Sequence, residues 1–133
     1  MSYEYILADR LHELEIRVGK LEQREHTHLY ISFGVPTSLV ISGGVITIDR
    51  YSGSYSVDTE GAVGSDDLDS ILGGEAGDLI IIKAENDARS IVCKNGTGNL
   101  KLPADMTLDN TKDIQMLYYD GTDWCEVTAS SNA

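Results

Sequence analysis

Two hydrophobic periods divide the chain. Leu7, Leu11, Leu14, Val18 and Leu21 recur at alternating spacings of four and three. From Leu29 onward the apolar residues alternate with polar ones, as in "LYISFGV", where Leu29, Ile31, Phe33 and Val35 fall on one face of an extended chain. The change takes place within "LEQREHTHLYISF", and this places a boundary at residues 28 and 29.

The first pattern predicts a coiled-coil stem over residues 1–28, with Leu11 and Val18 at the a positions and Leu7, Leu14 and Leu21 at d. The flanking charges add independent information. Arg10, Arg17 and Arg24 occupy g, and Ala8, Glu15 and Glu22 occupy e. In parallel helices g of one chain faces e of the next heptad on its neighbour, which pairs Arg10 with Glu15 and Arg17 with Glu22. An antiparallel arrangement would bring like charges together, so parallel, in-register helices are expected. A single amphipathic helix packed on its own domain would give a similar stripe. The matched e and g residues favour the coil, although Ile16 at f is a misfit. A segment of about 22 residues spans about 33 Å. Three heptads hold chains together only marginally, so the following domain is expected to contribute. Leu at both a and d does not fix the strand number; three is chosen because of the β domain that follows.

The second pattern predicts a β domain over residues 29–133. "SLVISGGVITIDR" reads as two short strands around Gly43-Gly44, and "GSYSVDT" as another. "DLIIIKAE" and "RSIVCKNG" flank the turn "NDA", "GNLKLPA" follows the turn "NGTG", and "DIQMLYYDGTDWCEVTA" reads as a hairpin turning at "DGTD". Eight or nine short strands at this spacing suggest a β-sandwich or jelly-roll-like knob. The exception is "SDDLDSILGG", where Ser65 would cap a single helical turn with Asp66 and Asp67 in its first positions. The fold class expected is therefore mainly β: a homotrimer with a parallel coiled-coil stem and a sandwich-like knob.

Composition narrows the function. The 133 residues suit one domain, and the chain is 41% hydrophobic and 24% charged. No run of 18 apolar residues occurs, and "MSYEYILADR" has no basic start leading into an apolar block, so neither a membrane span nor a secretory signal is expected. A net charge of -12 argues against nucleic acid and against anionic membranes. Between Tyr51 and Ile82 there is no Lys or Arg, but there are seven acids: Asp58, Glu60, Asp66, Asp67, Asp69, Glu75 and Asp78. Cys93 and Cys125 read as reduced, partly buried thiols, with a disulfide left open. "NGT" at Asn95 reads as a turn rather than a glycosylation acceptor.

No catalytic constellation is present. The chain has no Gly-x-Ser-x-Gly and no phosphate loop, and its three histidines all lie in residues 12–28, away from both cysteines. The carboxylates of "SDDLDS" read as a solvated turn, and they lack EF-hand spacing. The chain is therefore expected not to be an enzyme. A sugar-binding surface is the rival function. Tyr51, Tyr55, Tyr118, Tyr119 and Trp124 offer rings on which a host glycan would stack, set against the reading that some of them are core or inter-chain contacts.

Residues 57–127 carry a resemblance. The acidic "DDLDSI" turn, "GGEAGDLIIIKA", "VCKNGTGNLKL" and the closing "YYDGTDWCEV" hairpin resemble a β module of tailed-phage structural proteins. The resemblance implies a virion-surface role of the head-fibre, capsid-decoration or short tail-fibre type. It also implies homotrimers on fibrous stems, other capsid or tail proteins as partners, contact with the host surface, and synthesis in the host cytoplasm. It carries over no catalytic residue.

The heptad count, continued past Leu21, puts Glu25 at a and His28 at d. The coil is therefore expected to open there, with His26 and His28 of three chains near the axis. Six imidazoles in that arrangement would suit one octahedral metal ion, similar to axial sites in phage fibre and spike tips. The alternative is two polar residues at a widening joint, with no cofactor.

Overall fold

The computed structural model describes residues 10–12 and 30–132. The chain divides into two compact units, Met1–Ser32 and Phe33–Ala133. In the first unit Arg10, Leu11 and His12 are helical and exposed. The seam residues Leu7, Leu14, Val18 and Leu21, the flanking Glu15, Arg17 and Glu22, and His26 and His28 lie outside the described residues. Among the described residues no helix is long enough for a coiled coil, and these residues are mainly β, with 45% strand and 6% helix.

The second unit contains eleven strands: β1 (Thr37–Val40), β2 (Val45–Thr47), β3 (Ser54–Asp58), β4 (Ser65–Leu68), β5 (Ser70–Leu72), β6 (Leu79–Ala84), β7 (Ser90–Cys93), β8 (Leu100–Lys101), β9 (Met106–Leu108), β10 (Ile114–Tyr119) and β11 (Trp124–Ser130). They form a six-stranded sheet in the order β1-β3-β6-β10-β11-β8, a two-stranded sheet β2-β5, and a three-stranded sheet β4-β7-β9.

The arrangement is β-solenoid-like and corrects the jelly-roll expectation. Strands with the same position in successive windings stack in parallel. Thr37 pairs with Tyr55, Tyr55 with Ile82, Val45 with Ser70, and Ser65 with Ser90. These partners are 18, 27, 25 and 25 positions apart, so the first winding is short and the later ones fall within the range of solenoid repeats. A jelly roll is built of antiparallel neighbours, whereas the pairings β1/β3, β3/β6, β2/β5, β4/β7 and β8/β11 are all parallel. The turn "NDA" therefore makes a corner rather than a hairpin, sending β6 into one sheet and β7 into another. Arg89 fixes that corner to the winding before it, with Nε and Nη2 donating to the Asp58 carboxylate at 2.7 and 3.0 Å. The stack ends where the chain reverses. β10 runs antiparallel to β6, and β9 antiparallel to β7.

Two local readings also change. "SDDLDSIL" is extended rather than helical, because β4 and β5 each take a parallel partner and Leu68 and Ile71 point into the core. Tertiary pairing here overrides local propensity. Residues 30–36 form no strand, since Gly34, at φ +84°, turns the chain within the alternating run. The hairpin at "DGTD" is present as β10 and β11.

The core lies between the three sheets. It includes Val57, Leu68, Ile71, Ile82, Ile91, Leu108, Leu117 and Trp124. Along β6, Ile80, Ile82 and Ala84 point inward, and Leu79, Ile81 and Lys83 outward.

Candidate functional site

The aromatic residues offered as a sugar platform separate. Tyr55 and Trp124 are fully buried, which removes them from any ligand surface. The Tyr55 hydroxyl donates to the Ser52 carbonyl at 2.5 Å, and Trp124 Nε1–H donates to the Ile71 carbonyl at 3.1 Å. Both are core residues whose polar atoms are satisfied internally. Tyr119 is partly buried and stacks on Trp124, with ring centroids 4.8 Å apart. Only Tyr51 is fully displayed, at 95% exposure. Tyr118, the fifth ring, is 44% exposed, and with two of the five buried they do not form one surface.

The acids hold turns. Asp66 Oδ2 accepts the Glu60 N–H at 2.8 Å, and the Glu60 carboxylate accepts the Gly43 N–H at 3.2 Å. The Asp78 carboxylate receives a fork from Arg50, with Nε at 2.7 Å and Nη2 at 2.9 Å, and Glu75 lies 3.4 Å from the same guanidinium. That fork anchors Arg50 in a left-handed backbone conformation, φ 63°. Among the described residues, no three His, Cys, Asp or Glu side chains gather as metal ligands. Cys93 and Cys125 are free thiols. Burial pushes the Cys93 pKa up to about 12, so it is a poor nucleophile.

Asp120 and Asp113 make the fold sensitive to acid. Asp120 Oδ1 accepts the N–H groups of Asp123 (2.7 Å) and Thr122 (2.8 Å), closing the hairpin, and these bonds lower its pKa. Burial works to raise the pKa of Asp113, but the N–H groups of Asn132 (2.7 Å) and Asp109 (3.0 Å) outweigh it and the net shift is downward. A carboxyl with a depressed folded pKa contributes stability that is fully present above its unfolded value, about 3.9. That contribution is lost as pH falls through the folded value. The unfolding free energy is therefore expected to drop as the pH falls below about 4, less steeply in Asp120→Asn than in wild type. Equal slopes in urea titrations across that range would show that Asp120 plays no part.

The residues that sequence reasoning missed lie on the outer face of the six-stranded sheet. Three rows cross it. One is Ser54, Ile81, Met116, Thr128; the next is Leu79, Tyr118, Cys125; the third is Ser56, Lys83, Ile114, Ser130. None of the three rows contains a carboxylate, in a chain with 22 acids. Leu79, Ile114 and Tyr118 are about two-fifths exposed, and Val127, beside the bulge between Met116 and Leu117, is 56% exposed. The signal was present in "LIIIKA". A strand with one wet face alternates, whereas a strand covered on both faces reads as an unbroken apolar run.

This face carries the apolar side chains of Leu79, Ile81, Ile114 and Met116 together with the Tyr118 phenol, the Cys125 thiol, the Lys83 amine and the hydroxyls of Ser54, Ser56, Thr128 and Ser130. The chain matches no family model, no curated protein and no solved structure.

Proposed function

We propose that this chain is a structural protein of a tailed-phage virion: a homotrimeric surface appendage, of head-fibre, capsid-decoration or short tail-fibre type, that attaches to the particle and contacts the host surface. The observation that carries this reading is the plan of the chain. A heptad seam with Arg at g and Glu at e runs directly into a small capped stack of parallel β windings. A stalk that pairs identical chains, followed by a compact β body, is the organisation of a stalked knob. The stretch that resembles phage structural modules, residues 57–127, covers β4 to β10 and parts of β3 and β11. Several of the acids, Asp66, Glu60, Asp78 and Asp120 among them, accept backbone N–H groups in turns, which supports a structural role. The burial of Tyr55 and Trp124 weighs against a glycan-binding tip as the main function.

Light scattering at micromolar concentration is expected to give three times the 14.5 kDa chain mass. A monomer or a dimer would sink the trimeric reading. A reconstruction of the parent particle with this protein docked on capsid or tail tests the virion role itself, and its absence from purified particles would overturn that role.

A further inference from the structure

The central strands of the main sheet are apolar on both sides. Ile80 and Ile82 point into the core while Leu79 and Ile81 point out, and Leu117 is buried while Met116 and Tyr118 point out. In the single chain Ser54 and Ser56 on the outer side are buried, Ile81 and Met116 are partly buried, and Leu79, Ile114 and Tyr118 stay about two-fifths exposed. The sequence is nonetheless that of a sheet buried on both faces.

Charge identifies the cover. Copies of a chain at -12 repel one another over most of their surface. They approach at least cost where carboxylates are missing, and the three rows of this face have none. Acids stand only at its rims, with Asp58 held by Arg89 and Glu85 accepting the Ser38 hydroxyl at one end, and Asp120 engaged in the hairpin turn at the other. The heptad pattern that enters this unit also brings together identical chains, not different ones.

We infer that the outer face of the six-stranded sheet is the surface on which copies of this chain pack against one another, with Leu79, Ile81, Ile114, Met116 and Tyr118 turned toward the shared axis. This rests on the homotrimeric reading above and assigns the surface that reading needs. The four strands β3, β6, β10 and β11, about 4.8 Å apart and about six residues long, present a patch of about 20 by 20 Å. That is about half of what a standard interface takes from each partner. The face therefore acts together with the stem rather than alone.

Cys125, in the same row as Tyr118, reports on the face, and Cys93, buried in the core, reports on folding. The test uses the full chain with a maleimide probe and parallel mass measurement. In wild type at micromolar concentration Cys125 is expected to label at least tenfold more slowly than in Thr128→Glu. Thr128 is exposed in the single chain, so a glutamate there is solvated unless a second copy covers it. Thr107→Glu, on the exposed side of β9 in another sheet, is expected to change neither rate nor mass. If Thr128→Glu unfolds, Cys93 labels as well, and Tyr118→Ser then takes its place.

A trimer in which Cys125 labels equally fast in wild type and Thr128→Glu would overturn the face and leave the appendage reading standing. A wild-type monomer with rapid labelling would overturn both. A monomer with slow labelling would also overturn the inference, because no second copy would then be the cover.

Discussion

Replacing Trp124 with alanine is expected to cost the fold about 3–5 kcal/mol, the usual range for deleting a large buried aromatic side chain. Three features make the site rigid. Trp124 is fully buried, its Nε1–H bonds the Ile71 carbonyl at 3.1 Å, and its ring stacks on Tyr119. The backbone leaves room for nothing else. A Cβ on Gly74 would lie 2.5 Å from Trp124 Cζ2, so the ring fills a notch that exists only because residue 74 is glycine. Trp124 also joins distant parts of the chain, since its own N–H bonds the Asn99 carbonyl at 2.7 Å while its side chain reaches β5. Trp124→Phe keeps most of the volume, and the Ile71 carbonyl keeps its bond from Asn99 Nδ2, so a loss of about 1–2 kcal/mol is expected there. Urea denaturation of the three proteins checks the order. A loss below about 1 kcal/mol for Trp124→Ala would mean that this ring does not belong to the core.

Gly73→Ala is expected to cost about 3 kcal/mol, from two sources that can be measured apart. Gly73 sits at φ +89°, where an L side chain is strained by about 1–2 kcal/mol. Its added Cβ would also stand 2.5 Å from the Ile48 carbonyl oxygen, a backbone atom of a residue whose own N–H is held by the Leu72 carbonyl at 2.9 Å. Overpacking of that kind adds about 1–3 kcal/mol. Gly77 provides the control. It has a similar φ, +95°, but nothing lies within 4 Å of the added Cβ. Gly77→Ala should therefore show the conformational part alone. Equal losses at the two positions would remove the steric argument and with it the close approach of these two windings.

The parts of the fold legible in the sequence were those decided locally. The hairpin at "DGTD" depends on four adjacent residues and a carboxylate that closes on its own turn, and β10 and β11 form as their alternation suggests. Parallel pairing is decided by residues 18 to 27 positions away, and no local signal distinguishes a corner at "NDA" from a hairpin. "SDDLDSIL" was misread for the same reason: its capping pattern is local, while the partners that extend it, β2 and β7, are remote. The aromatic residues show a second limit. Period-two alternation sorts residues onto two faces without saying which face is covered, so the sequence left open whether Tyr55 and Trp124 were displayed or core, and both are core. The apolar outer face was hidden by the opposite effect, because "LIII" presents no alternation to sort. The seam from Leu7 to Leu21, which carries the oligomeric reading, lies outside the described residues apart from Leu11.

The cap on the stack also restricts how this body can lengthen over descent. Asn99 bonds both the N–H and the carbonyl of Ile71, at 2.9 and 2.8 Å, and Trp124 bonds the same carbonyl. The final turn of the chain therefore grips the second winding as well as the third, so a duplication inserted between them would separate the lid from its seat. At the other end β1 and β2 are edge strands. Duplications that extend the body are expected to survive only there, in steps of about one winding, leaving the lid unchanged. Lineages carrying this body would then vary in height at the β1 and β2 end while conserving Asn99, Trp124 and the strand that holds Ile71.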